Sequence, residues 1–211
     1  MGLTVLKFSL FIERQDSQYC VTASFRTTGI ARPFFRMDTT LRSTSKEWTL
    51  EPVSYERDVD EKRFLEKTQR FKEIIYFYPK ESKILAVRGN PPQTREVMVP
   101  SRTRDPLAML LNYFLGAEVG DGDQTTLTIY DGLHLRDITF KASREEISTR
   151  LFGRIRTICV KARTFFSIFD YQEGELKAWY TADERRYPVK IAIDVPAVGT
   201  ITFVLVKVDV R

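Results

Sequence analysis

Residues 4–27, TVLKFSLFIERQDSQYCVTASFRT, decide the fold. Leu6, Phe8, Leu10 and Ile12 recur at every second position, the period of a strand with one buried face rather than the 3.6-residue period of a helix. Gln15-Asp16-Ser17 supplies a polar turn, and residues 18–27 return rich in aromatic and β-branched side chains. The whole stretch reads as an antiparallel hairpin.

Outward from this hairpin, strand signals dominate. Gly29 punctuates, residues 34–43 alternate weakly, and residues 48–57 form a further strand in which Pro52 marks an edge or a bulge. Residues 64–68 and 71–78 read as another pair. Residues 84–88 form a short strand closed by Gly89-Asn90-Pro91-Pro92, a strong loop signal. Further on, Asp131-Gly132 divides a hairpin of residues 127–130 and 133–141. Phe152-Gly153 divides another, of residues 146–151 and 155–162. Residues 175–181, 187–194 and a long closing strand over 200–210 complete the series. No fixed-period repeat is present, which excludes solenoids and propellers.

One segment departs from this pattern. Asp105-Pro106 followed by LAMLLNYFLG combines an N-cap acid, proline at the first helical position and Gly116 as a stop, and so predicts a helix over about 105–115. Leu107, Leu110, Leu111 and Phe114 share one face. Met109 and Leu115 lie elsewhere on the wheel, so the helix is apolar nearly all round and is expected to be buried. The expected architecture is all-β and mainly antiparallel: one domain over 1–211, a strongly curved sheet or incompletely closed barrel around this helix.

Composition places the chain among ordinary globular proteins. Of 211 residues, 43% are hydrophobic and 29% charged, and a chain this long buries roughly 70% of its unfolded surface. The net charge of +5 reads either as an acidic partner or as plain solubility. Interleaving of both signs, as in Glu56-Arg57-Asp58 and Asp183-Glu184-Arg185-Arg186, favours solubility and argues against nucleic acid. Cys20 and Cys159 read as buried thiols, with a long-range disulfide as the alternative. No apolar stretch is long enough for a transmembrane helix.

Chemistry-bearing motifs are scarce. The single histidine, His134, sits just after the Asp-Gly turn between leucines, poor geometry for a triad with Asp131 or Asp137. Nucleophile elbows and phosphate loops are absent. Glu118, Asp121 and Asp123 lack the spacing of a calcium loop. These readings give no catalytic residue, no cofactor and no metal site. The stretch Arg32-Pro33-Phe34-Phe35-Arg36 reads either as a lipid-surface contact or as a strand entering the core.

Several motifs in the second half form a recognisable series. Asp105-Pro106-Leu107-Ala108 opens the helix. Arg144-Glu145-Glu146-Ile147-Ser148-Thr149, Phe152-Gly153 and Arg156-Thr157-Ile158-Cys159-Val160 follow. Glu175-Leu176-Lys177-Ala178-Trp179-Tyr180-Thr181, then Asp183-Glu184-Arg185-Arg186-Tyr187-Pro188 and Gly199, close it. In order and spacing they resemble the bacterial family known as domain of unknown function 3108, most closely over about residues 100–208. Ala182 stands where that pattern has a second acid, so no paired-acid role carries over. The resemblance implies an exported Gram-negative protein, periplasmic or outer-membrane associated, whose signal segment lies outside this sequence. It also implies a likeness to lipoprotein carriers, in which a curved sheet wraps an apolar helix.

The leading functional expectation is a non-catalytic envelope protein binding an apolar or lipid-like ligand in the concave face of its sheet. Phe34, Phe35, Met109, Leu111, Phe114 and Leu115 are the candidate ligand contacts. Asp105, Pro106, Trp179, Asp183, Arg185 and Arg186 are structural candidates, one arginine of the last pair facing inward onto Asp183. The alternative is an interaction scaffold that meets a partner protein or an anionic glycan through its basic surface. A hydrolase whose carboxylates meet only in the fold is the third reading.

Overall fold

The computed structural model describes residues 5–63, 68–114, 119–166, 172–195 and 199–209. Its contacts divide the chain into two compact units, residues 1–109 with 128–135 and residues 110–127 with 136–211. Strands dominate, the two sheets are antiparallel, and neither closes on itself among the described residues, in accord with the expected all-β class.

The first sheet is a seven-stranded meander in sequence order. Its strands are β1 (Leu6–Gln15), β2 (Gln18–Thr27), β3 (Phe35–Lys46), β4 (Pro52–Arg63), β5 (Gln69–Tyr78), β6 (Lys83–Arg88) and β7 (Gln93–Met98). The opening hairpin has the expected form: Leu6 pairs with Thr27 and Gln15 with Gln18. Pro52 begins β4 beside a register shift at Thr44/Ser45, where its missing N–H breaks no interior pairing. The expected pair of 64–68 with 71–78 is replaced. Residues 64–67 lie outside the described residues, and β5 pairs instead with Ser54–Glu61 of β4 and with β6.

The buried face of this sheet mixes apolar and polar groups. Val21, Ala23, Met37, Tyr55, Val59, Ile75, Ile84 and Ala86 are buried together with Thr27, Thr39, Ser43, Ser45, Arg57 and Glu73. Arg57 and Glu73 face each other in register, and their Nη1–Oε2 contact is 3.1 Å with side chains 10% and 5% exposed. The turn of residues 131–134 closes over this pair. The Asp131 Oδ1 accepts from the Leu133 and His134 amides, both at 2.8 Å, which shapes the turn. Arg95 Nη2 donates to the Tyr130 hydroxyl at 2.6 Å and to the Gly132 carbonyl at 3.0 Å. Backbone bonds between Arg104 and the strand residues Thr128 and Tyr130 fix the same segment.

The helix α1 (Pro106–Phe114) starts where the capping signal predicts. Asp105 is fully buried, and its Oδ1 accepts from the Leu107 and Ala108 amides at 2.8 and 2.9 Å while Oδ2 accepts from the Ser43 hydroxyl at 2.8 Å. Leu107, Ala108 and Leu111 are buried. Gly116, the expected stop, lies outside the described residues.

The second sheet is also a meander, of β8 (Gln124–Tyr130), β9 (Leu135–Thr149), β10 (Gly153–Phe166), β11 (Gln172–Thr181), β12 (Pro188–Val195) and β13 (Gly199–Val204). β9 is continuous where the sequence suggested two segments. The closing strand ends at Val204, shorter than the expected 200–210, and pairs with β12 alone among the described residues.

Two outcomes follow. Burial raises the Asp105 carboxyl to about 6 from an ordinary 3.8, against the pull of its hydrogen bonds. The folded state therefore holds this proton more tightly than the unfolded one, so the associated stability is full below about pH 4 and is lost as pH rises through 6. Asp105→Asn keeps the capping acceptor without the charge. Its stability relative to the parent should rise by about 3 kcal/mol between about pH 4 and pH 7 in urea titrations. The second outcome concerns Gly132, at φ +100°, where an added Cβ would lie 2.0 Å from Arg57 Nη1. Gly132→Ala should cost about 3 kcal/mol or more in thermal unfolding, because Arg57 cannot move without leaving Glu73 unpaired.

Candidate functional site

Strand alternation in the second unit sorts its side chains into two faces. On one, Arg144 of β9 lies opposite Ile158 of β10, which lies opposite Tyr180 of β11. Ala142, Val160 and Ala178 form the next row, and Glu146 with Arg156 the row on the other side. This face thus grades from small apolar groups to charges over three rows.

On the other face, Cys159, Trp179, Val189 and Ala192 make a small core, flanked by Ile147, Phe152, Ile155, Tyr187 and Leu205. Trp179 reaches across β10 to donate from Nε1 to Glu145 Oε2 at 2.7 Å, and Lys190 Nζ lies 4.6 Å from the indole centroid. Lys161 meets the same carboxylate at 2.6 Å. Burial works to raise the Glu145 carboxyl, but the Lys161 and Trp179 hydrogen bonds outweigh it and hold the group below its usual range. Burial, reinforced by the Glu145 charge, pushes the Cys159 thiol up to about 12.

A concavity of about 1280 Å³ has Arg144, Glu146, Arg156, Ile158, Val160 and Tyr180 in its walls, together with Val119, Gly120, Asp123, Asp183, Arg185 and Arg186. The segment carrying Gly120 and Asp123 is laid along β9 by hydrogen bonds. The Gly122 amide donates to the Ala142 carbonyl and the Ala142 amide to the Asp123 carbonyl, each at 2.9 Å, and Asp121 Oδ1 accepts from the Arg144 amide at 2.8 Å. Asp123 Oδ2 accepts from the Gly120 amide at 2.6 Å. Asp121 and Asp123 thus each accept from a backbone amide, and Glu118 lies outside the described residues.

On the other side, the turn between β11 and β12 is organised by two side chains. Thr181 Oγ1 donates to Asp183 Oδ1 at 2.6 Å and accepts from the Tyr187 amide at 3.0 Å. Arg185 reaches Asp183 Oδ2 through both Nε and Nη2, at 2.9 and 2.5 Å, with side chains 58% and 42% exposed. The pairing is the one expected from sequence, but neither partner faces inward, because both lie in the turn between β11 and β12, where strand alternation does not apply.

Charge around the concavity is unevenly matched. Glu145, Glu146 and Asp183 are committed to Lys161, Arg154 and Arg185, whereas Arg144 and Arg156 make no ion pair among the described residues. The walls therefore offer an apolar floor with two guanidinium groups beside it.

The described candidate ligand residues from sequence, Phe34, Phe35, Met109 and Leu111, lie elsewhere. Phe34 is 61% exposed and Phe35 half-buried at the start of β3. Leu111 is buried and Met109 partly so. The side chain of Phe114 and all of Leu115 lie outside the described residues. Of the described side chains, Phe34, Phe35, Met109 and Leu111 do not line the concavity. Sequence reasoning passed over Ile158, Val160 and Arg156, although their every-second spacing does put them on one face.

A family model described as a protein of unknown function (DUF3108) matches residues 2–206. The chain belongs to this family. Membership was expected from the motifs between Asp105 and Gly199 and extends over nearly the whole DUF3108 chain. No curated protein matches it. Among solved structures, the crystal structure of a beta-barrel-like protein of domain of unknown function DUF1849 from Brucella abortus is similar, with a TM-score of 0.59 and 10% identity, covering 94% of this chain and 85% of that chain. At that identity the likeness is one of fold.

The DUF3108 chain has two free thiols in different settings, Cys20 half-buried and Cys159 fully buried. At about pH 8, alkylation followed by mass spectrometry should modify Cys20 in the native protein and Cys159 only after denaturant is added.

Proposed function

We propose that this chain is a non-catalytic envelope protein that holds an amphiphile, an apolar chain with an anionic head, in the concavity of its second unit. The observation that carries this reading is the pairing of the Ile158, Val160 and Tyr180 floor with Arg144 and Arg156 in one concavity of about 1280 Å³. That space exceeds the usual ~300–1,000 Å³ of small-molecule sites and accommodates an acyl chain, each buried methylene contributing about 0.8 kcal/mol. Guanidinium groups suit a carboxylate or phosphate head through paired donors.

Two further features support a role without chemistry. Glu145 is held ionised by Lys161 and Trp179, which disfavours it as a proton donor at neutral pH. The Cys159 thiol, raised to about 12 and buried, is a poor nucleophile. The carrier-like architecture and periplasmic setting expected from the family motifs agree with an amphiphile as ligand.

The test is displacement of a fluorescent fatty acid, read by titration. Saturable micromolar binding is expected. Ile158→Glu should abolish it with the β-sheet circular dichroism unchanged. Arg144→Gln combined with Arg156→Gln should weaken the carboxylate probe about tenfold or more while sparing a fatty alcohol of equal length. Probe fluorescence no higher than with a control protein would reject the reading.

A further inference from the structure

A second site stands on the first unit, independent of the concavity above. On the solvent face at one end of the first sheet, Arg26 lies opposite Asp38, Asp38 opposite Asp60, and Asp60 opposite Arg70. Arg32, from the loop between β2 and β3, forks onto Asp38 with contacts of 2.9 and 2.5 Å and also donates to the Thr27 carbonyl at 2.9 Å. Asp60 is shared between Arg36 and Arg70, each at 2.7 Å. Arg26, Arg32, Arg36, Lys62 and Arg70 thus outnumber Asp38 and Asp60, and both carboxylates are already bonded.

The excess charge is concentrated at one point. Arg36 and Lys62 face each other in register, a like-charge pairing that costs stability unless an anion lies between them. Lys62 is exposed and makes no ion pair among the described residues. Arg36 Nε is buried without a hydrogen-bond partner, the only such side-chain atom among the described residues. A depression of about 500 Å³ lies between these groups, lined by Gly29, Arg32, Pro33, Arg36 and Lys62.

The same loop carries two apolar side chains outward. Ile30, in the 3-10 turn Gly29–Ala31, is 69% exposed, and Phe34 is 61% exposed. Apolar groups on a short loop, flanked by cations around an anion-sized depression, match the layering of an anionic bilayer. There, phosphates lie a few ångströms above the first methylenes. A protein partner would call for a contiguous apolar patch, which two side chains on one loop do not provide.

We infer that residues 29–36 together with Lys62 form a docking surface for an anionic membrane. Ile30 and Phe34 enter the interface, and Arg32, Arg36 and Lys62 meet lipid phosphate. The arrangement of Arg36 beside Lys62 is what makes the surface selective for anionic over zwitterionic lipid.

Co-sedimentation with vesicles tests this directly. The full chain should partition onto mixed phosphatidylcholine–phosphatidylglycerol vesicles and about tenfold or more weakly onto pure phosphatidylcholine, with binding that falls as salt rises. Lys62→Gln should weaken partitioning about fivefold, and the pair Ile30→Ser with Phe34→Ser about tenfold or more, all with unchanged melting temperature because these side chains are exposed. Retention of fatty-acid probe binding in these variants is expected, since the concavity is untouched. Equal partitioning onto both vesicle types, none onto either, or variants that bind as the parent does would overturn the proposal. So would loss of concentration-dependent self-association in the Ile30/Phe34 variant without any vesicle binding, which would make the loop a protein contact.

Discussion

An ion pair buried inside an antiparallel sheet must be matched on every side, and the Arg57–Glu73 pair sets that condition for the first unit. Removing two charges from water costs several kcal/mol each, so the pair persists only with close geometry and neighbouring polar groups. Register places the two side chains opposite one another across β4 and β5. The turn at Gly132 closes over them, and Arg95 and Tyr130 hold that turn. The polar residues of the buried face, from Ser43 to Thr39, belong to the same economy: Ser43 serves Asp105, and Thr39 donates to Glu61 at 2.8 Å.

Much of this was legible in the sequence where one physical signal dominated. The opening hairpin announced itself by period-two alternation, and Asp105-Pro106 by capping chemistry that the Leu107 and Ala108 amides realise. The strand expected over residues 48–57 stops short of Asp58-Val59-Asp60-Glu61-Lys62-Arg63, a dense run of charge that β4 includes. In the fold those charges flank a buried Val59, and two of them find partners across β3: Asp60 pairs with Arg36 and Glu61 accepts from the Thr39 hydroxyl. Charge density masked a strand whose alternation was intact.

The candidate site was less legible, for a reason that lies in pairing. Alternation along β10 tells that Arg156, Ile158 and Val160 share a face, but not that Tyr180 and Arg144 complete the row. That depends on registers between three strands, and a slip of one residue would turn each set to the opposite face. The outer loop of residues 29–36 shows the converse. Its aromatic and basic residues were visible as a stretch, yet only the exposure of Phe34 and the pairing of Arg36 with Lys62 separate a surface feature from a strand entering the core.

The last strand of the second sheet brings a different liability. β13 carries six residues, Gly199–Val204, without a single charge, and one of its edges has no partner among the described residues. Charge returns first at Lys207, then at Asp209 and Arg211. An uncharged, β-branched edge is a template on which another chain can add its own backbone, and gatekeeping charges a few residues away are the usual brake. The side chains that oppose strand addition at this edge therefore lie outside the strand itself, far in sequence from the groups that stabilise the fold.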